Sequence, residues 1–147
     1  MKLRYKHIIL TITILLAAIC PAHAQYEEGD ILFATRALND GFYDLAVGKL
    51  QTFLKKNPES THKNEAYILL GKCYYNQNQF TKSIYEFEQV INDPKAADLW
   101  DDAIYWTGEV YFKINDYNKA IECYDKIVKD YKDSPFLAFS YYSMGWC

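Results

Sequence analysis

Histidine is scarce in this chain: there are three in 147 residues, and only His62 lies beyond residue 24. Cysteine is almost as thin, with Cys20, Cys73, Cys123 and Cys147 far apart. A zinc site needs closely grouped cysteine and histidine ligands, so no metal is expected, and nothing calls for a cofactor. No glycine-rich loop is present to cradle a phosphate. Basic residues are few and unclustered. Setting aside Lys2, Arg4 and Lys6 from the 16 Lys+Arg leaves 13 against 19 Asp+Glu, a net charge of −6. That balance argues against nucleic acid, where phosphate neutralisation dominates affinity. It also argues against a polybasic dock on an anionic membrane, so any membrane contact is indirect. Catalysis has no constellation to rest on. His62 stands beside Lys63 and Asn64, and the pairs Glu27-Glu28 and Asp101-Asp102 are adjacent residues that diverge on a helix. No enzyme is expected.

Long apolar runs are also missing, with one exception. Ile8 to Ile19 is apolar but for Thr11 and Thr13, which is short of the roughly 20 residues of a membrane span. Lys2, Arg4 and Lys6 precede it, and Pro21 and Ala22-His23-Ala24 follow. Basic, then apolar, then small is the order of a secretory signal peptide. Residues 1–24 are therefore expected to be removed after Ala24, leaving a periplasmic or secreted chain that starts at Gln25. A lipoprotein anchored through Cys20 is the weaker alternative, because Ala17 and Ile19 stand where such signals place leucine and a small residue. An uncleaved anchor is weaker still. Beyond the leader the length suits one domain. Its cysteines are odd in number, yet Cys73 and Cys123 sit in apolar helical stripes and read as small buried hydrophobes.

What the chain does have is a period. Shifted by 37 residues, Gly71 falls on Gly108 and Gly145, Ala46 on Ser83 and Ala120, Tyr43 on Phe80 and Tyr117, and Leu50 on Phe87 and Tyr124. Such a period marks a repeat architecture. In the second unit Ala66, Tyr67, Leu70, Gly71 and Tyr74 recur at helical spacing. Asn76 to Gln79 form a turn, and Phe80, Ser83, Ile84, Phe87, Val90 and Ile91 make a second stripe. The expected units are 25–61, 62–98, 99–134 and a partial 135–147, turning at Asp40-Gly41, Asn76 to Gln79 and Asn115-Asp116. A glycine inside a helix costs about 1 kcal/mol against alanine. Its recurrence implies a tight crossing within each hairpin, reciprocated by Ala46, Ser83 and Ala120. Leu50, Phe87 and Tyr124 are expected to fill the space between neighbouring hairpins.

Tyr67-x-x-Leu70-Gly71-x-x-Tyr74, followed by Ser83, Phe87 and Pro94, resembles the tetratricopeptide repeat. The resemblance covers nearly all of residues 25–147. It implies an all-α, right-handed solenoid of antiparallel helix pairs, here about three and a third repeats of 37 residues. The three extra residues per unit are assigned to the stretch between one hairpin and the next. Phe53, Val90 and Ile127 also replace the usual small residue late in the second helix. The third unit, with Asp101 to Glu109, Asp116-Tyr117 and Asp133-Ser134-Pro135, is similar to repeats of bacterial envelope proteins. Among these are the periplasmic coordinator of the Tol-Pal system and the repeat lipoprotein of the outer-membrane barrel-assembly machine.

In that family the first helices line a concave groove. Counting along them places Glu65, Ile68, Lys72 and Tyr75 on that face, then Asp102, Tyr105, Glu109 and Phe112, then Phe139, Tyr142 and Trp146. The expected partner-binding residues are Ile68, Lys72, Tyr75, Tyr105, Glu109, Phe112, Tyr142 and Trp146. Tyr105, Tyr142 and Trp146 form an aromatic strip edged by Lys72 and Glu109, of the kind found in binding hot spots. The cytosolic chaperone-tail clamp is not expected, since Ile68 and Tyr105 stand where it needs polar groups. The resemblance points to an exported scaffold or adaptor that binds a protein or peptide partner in the cell envelope. The alternatives are a repeat section used for oligomerisation within a larger exported protein, or a glycan-binding module. Pro135 to Cys147 begin a fourth unit without its second helix. A longer protein, or a molecule that covers this end, is the expectation.

Overall fold

The computed structural model describes residues 26–147; the leader, Cys20 and the cleavage point after Ala24 lie outside the described residues. The described chain is helical with no strand. Helix α1 covers residues 26–39. It is followed by α2 (Tyr43–Lys56), α3 (Lys63–Asn76), α4 (Phe80–Ile91), a 3-10 helix (Pro94–Leu99), α5 (Trp100–Lys113), α6 (Tyr117–Asp130) and α7 (Leu137–Met144). The starts of α2, α4 and α6 are 37 residues apart, and so are those of α3, α5 and α7. The sequence period is thus the period of the backbone.

Each hairpin turns by the same backbone device. Gly41, Asn78 and Asn115, one period apart, have φ of 80°, 58° and 63°. Glycine carries no Cβ penalty there, and asparagine is among the few other residues that tolerate the left-handed region. The next residue's N–H reaches five back, from Phe42 to the Ala37 carbonyl, Gln79 to Tyr74 and Asp116 to Tyr111, at 2.8 to 2.9 Å. The left-handed residue itself donates to the carbonyls of Leu38, Tyr75 and Phe112. This pair of bonds is a Schellman ending, and it satisfies carbonyls that the helix leaves free. Asp116 then caps α6 by accepting from the Lys119 N–H.

The extra length lies between hairpins. Ser60 Oγ accepts from the His62 N–H, and two periods later Ser134 Oγ accepts from the Phe136 N–H, both at 3.1 Å. Between α4 and α5 the connector winds into the 3-10 helix, which starts at Pro94 and is capped by Asp93. Trp100 Nε1 donates to the Val90 and Asp93 carbonyls at 3.1 Å and pins that connector to the end of α4.

Between hairpins one and two the core gathers Ala34, Ala46, Leu50, Phe53, Ala66, Leu69, Leu70 and Cys73. A second cluster gathers Ile68, Phe87, Val90, Ala96, Ala103 and Val110. Fully burying one such large side chain contributes roughly 1.5–3 kcal/mol. Burial pushes the Cys73 and Cys123 thiols up to about 11, which keeps them protonated at neutral pH. Gly71 and Gly108 receive a ring rather than a helix backbone. A Cβ on Gly71 would lie 2.6 Å from Phe87 Cζ, and one on Gly108 would lie 2.7 Å from Tyr124 Cε1. The large residues expected between hairpins therefore act first inside them. Where the ring is replaced by Leu50, the facing place holds Ala34.

Candidate partner-binding groove

The first helices bring the expected groove residues into one row, but the row is not uniformly open. Ile68 is a correction. It is 3% exposed and belongs to the core cluster with Phe87 and Val110. Helix α5 covers this place from the next hairpin, so a position that faces outward on an isolated helix is sealed in the stack.

Lys72 is mostly enclosed and paired. Its Nζ donates to Asp102 Oδ2 at 3.0 Å and sits 2.9 Å from Oδ1. It also lies 5.2 Å from the centroid of the Trp106 ring, a cation–π distance. Tyr75 is half-buried and meets Trp106 edge-on at 5.5 Å and Phe80 at 6.5 Å. Tyr105 is half-buried as well. It stacks on Phe136 at 4.8 Å and 17°, and approaches Trp106 and Phe139 at 6.0 and 6.3 Å. Burial first, then the Glu109 charge, raises the Tyr105 hydroxyl to about 12.

Glu109 is a junction rather than a free edge. Its Oε1 accepts from Tyr124 Oη at 2.8 Å and from Ser143 Oγ at 3.1 Å, joining α5, α6 and α7. Burial, followed by the bond to Glu109, drives the Tyr124 hydroxyl well above the tyrosine range. Phe112 is half-buried against Tyr117, edge-on at 5.6 Å. Only the last two expected residues stand open: Tyr142 is 65% and Trp146 66% exposed. Their rings are 6.0 Å apart at 64°. Phe139, on the same side by helical spacing, is also exposed.

The row therefore has two parts. From Phe80 through Tyr75, Trp106 and Tyr105 to Phe136, rings touch in sequence and tie the second and third hairpins to the start of the fourth unit. Beyond them, Phe139, Tyr142 and Trp146 present apolar surface to solvent. Sequence reasoning missed Trp106 and Phe136. The available signal was their adjacency to positions already placed on the row. The Trp106 Nε1 is buried without an acceptor, at a cost of about 1–3 kcal/mol. Among the described residues, no group of His, Cys, Asp and Glu is assembled to hold a metal ion. No helix among them is long and apolar enough to cross a membrane.

Family models described as tetratricopeptide repeat match residues 31–98 and 102–134. No curated protein matches the chain significantly. Among solved structures, the crystal structure of MamA is similar, with a TM-score of 0.66 at 24% identity. That likeness covers 82% of this chain and 65% of MamA, and at this identity it speaks for the fold alone.

Proposed function

The chain belongs to the tetratricopeptide repeat proteins, and from that premise we propose that it is an exported scaffold whose groove binds a protein or peptide partner in the cell envelope. Repeats of this kind present a long surface to protein partners. The observation that carries the reading is the row of first-helix side chains that successive units align, from Tyr75 through Trp106 and Tyr105 to Tyr142 and Trp146. Lys72 and Glu109 are satisfied within the chain, so the partner is recognised mainly by apolar side chains. Export rests on the leader, from Lys2 through the apolar run to Ala24. Sugar capture is less favoured. The Tyr142 and Trp146 rings meet edge to face and offer no single flat platform.

The test joins both parts. Expressed with its leader, the chain is expected in the periplasm or medium with Gln25 as its first residue, unchanged by Cys20→Ser. Retention in the cytosol would refute export. The double variant Tyr142→Ala, Trp146→Ala is expected to keep its melting temperature and lose an envelope partner identified with the unmodified chain. Full retention of that partner would refute the groove.

A further inference from the structure

From the second unit on, the row of first-helix side chains carries three carboxylates, Glu65, Asp102 and Glu109, and one ammonium, Lys72. Lys72 and Asp102 neutralise each other at 2.9 Å. Glu65 lies at the rim, its side chain 48% exposed and 3.1 Å from His62 Nδ1. Glu109 differs from both. It is half-buried, and Tyr124 and Ser143 donate their hydroxyls to its Oε1. Burial first, then the Glu109 charge, raises the hydroxyls of Tyr75 and Tyr105, which puts phenols from α3 and α5 in its field as well. Hydroxyls hold a carboxylate in place but carry no charge to balance it. Among the described residues, no Lys, Arg or His pairs with Glu109.

A segment lying in the groove takes Glu109 out of water. A carboxylate buried without a counter-charge is costly, whereas a desolvated ion pair that keeps its hydrogen bonds is tolerated. The row already holds one such pair, since Lys72 Nζ meets the Asp102 carboxylate at 3.0 Å and the Trp106 ring at 5.2 Å. We propose that the partner segment carries a lysine or arginine that pairs with Glu109 beside Tyr75 and Tyr105, flanked by apolar residues that pack on the rest of the row. This pairing rests on the groove of the proposed function and names the chemistry of its partner. Glu109 then determines specificity. A neutral or acidic segment of the same shape is rejected, because it leaves the charge of Glu109 unbalanced. Lys72, already paired, asks for no acidic residue in the partner.

The probe is a phage-displayed library of random dodecapeptides, selected on the whole chain. Recovered peptides are expected to share one Lys or Arg among apolar residues. In fluorescence anisotropy, norleucine in place of that residue, or Glu109→Gln in the chain, should weaken binding about tenfold or more. The two changes together should weaken it little more than either alone. Gln keeps an oxygen for Tyr124 and Ser143, so the melting temperature should hold. Should it fall, Glu109→Asp, which shortens the side chain but keeps the charge, must bind the peptide more tightly than Glu109→Gln. Recovered peptides without a basic residue would overturn the pairing and leave the groove standing. So would binding that needs Tyr142 and Trp146 yet ignores Glu109→Gln. Binding that ignores all three residues, or a selection that recovers no peptide, would overturn the groove and the pairing together.

Discussion

In the α3–α4 hairpin the slot over Gly71 holds the Phe87 ring, and Ser83 Oγ donates to the Gly71 carbonyl at 2.8 Å. In the α5–α6 hairpin the slot over Gly108 holds Tyr124, and Ala120 at the place of Ser83 has nothing to donate. The bond there runs instead from Tyr124 Oη to Glu109, which also accepts from Ser143 in α7. The two units share a backbone frame and a filled volume, while the polar lock has moved. Packing density constrains what fills the slot. A hydrogen bond contributes only about 1 kcal/mol and can be relocated. The relocation matters, because the Ser83 lock stays inside one hairpin and the Tyr124 lock reaches the next.

The largest expected effect is on the filler. Phe87→Ala should destabilise the chain by about 3–5 kcal/mol through lost burial and a cavity, read as a lower urea midpoint. An unchanged midpoint would mean that the ring does not bear on the core. Gly71→Ala approaches the same slot from the other side. Overpacking of a tight core costs about 1–3 kcal/mol, set against the roughly 1 kcal/mol that alanine gains in helix propensity.

The locks come next. Tyr124→Phe and Ser83→Ala should each cost about 1–2 kcal/mol. Tyr124→Phe should also speed amide exchange in α7, whereas Ser83→Ala should not. Equal protection of α7 in both variants would erase the distinction between the hairpins. Adding Ala120→Ser to Tyr124→Phe transplants the α3–α4 lock and should recover stability but not α7 protection.

A smaller effect separates the hairpins electrostatically. Asp30 and Lys49 pair at 2.6 Å in the first, and Tyr67 and Glu86 occupy those places in the second, Ile104 and Cys123 in the third. Burial lifts the Glu86 carboxyl to about 7. The folded state therefore holds that proton more tightly than the unfolded chain. Stability is complete below about 4.5 and falls as pH rises towards 7. Glu86→Gln should flatten that slope and stabilise the chain at pH 8 by on the order of 1 kcal/mol, after discounting the shift for solvent screening. Melting curves at pH 4.5 and 8 would decide it, and a slope unchanged by the substitution would show that Glu86 is solvated.

Much of the fold was legible because it is local. Gly41, Asn78 and Asn115 announce left-handed turns by residue type, and the stripes through Ala66, Leu70 and Gly71 announce helices by spacing. The groove was legible only in outline. Its row was placed on the right helices, yet whether a member is open depends on the next hairpin. Ile68 shows this, since α5 seals a side chain that helical counting turned outward.

Residue order alone determined the 37-residue period, the turns within the hairpins and the small-then-large pattern, because turn propensity and apolar spacing act over a few neighbouring residues. Tertiary structure alone decided that Ile68 is core and that Lys72 and Glu109 are spent on Asp102, Tyr124 and Ser143. Those outcomes depend on contacts between residues far apart in the chain, which exist only once the hairpins have stacked.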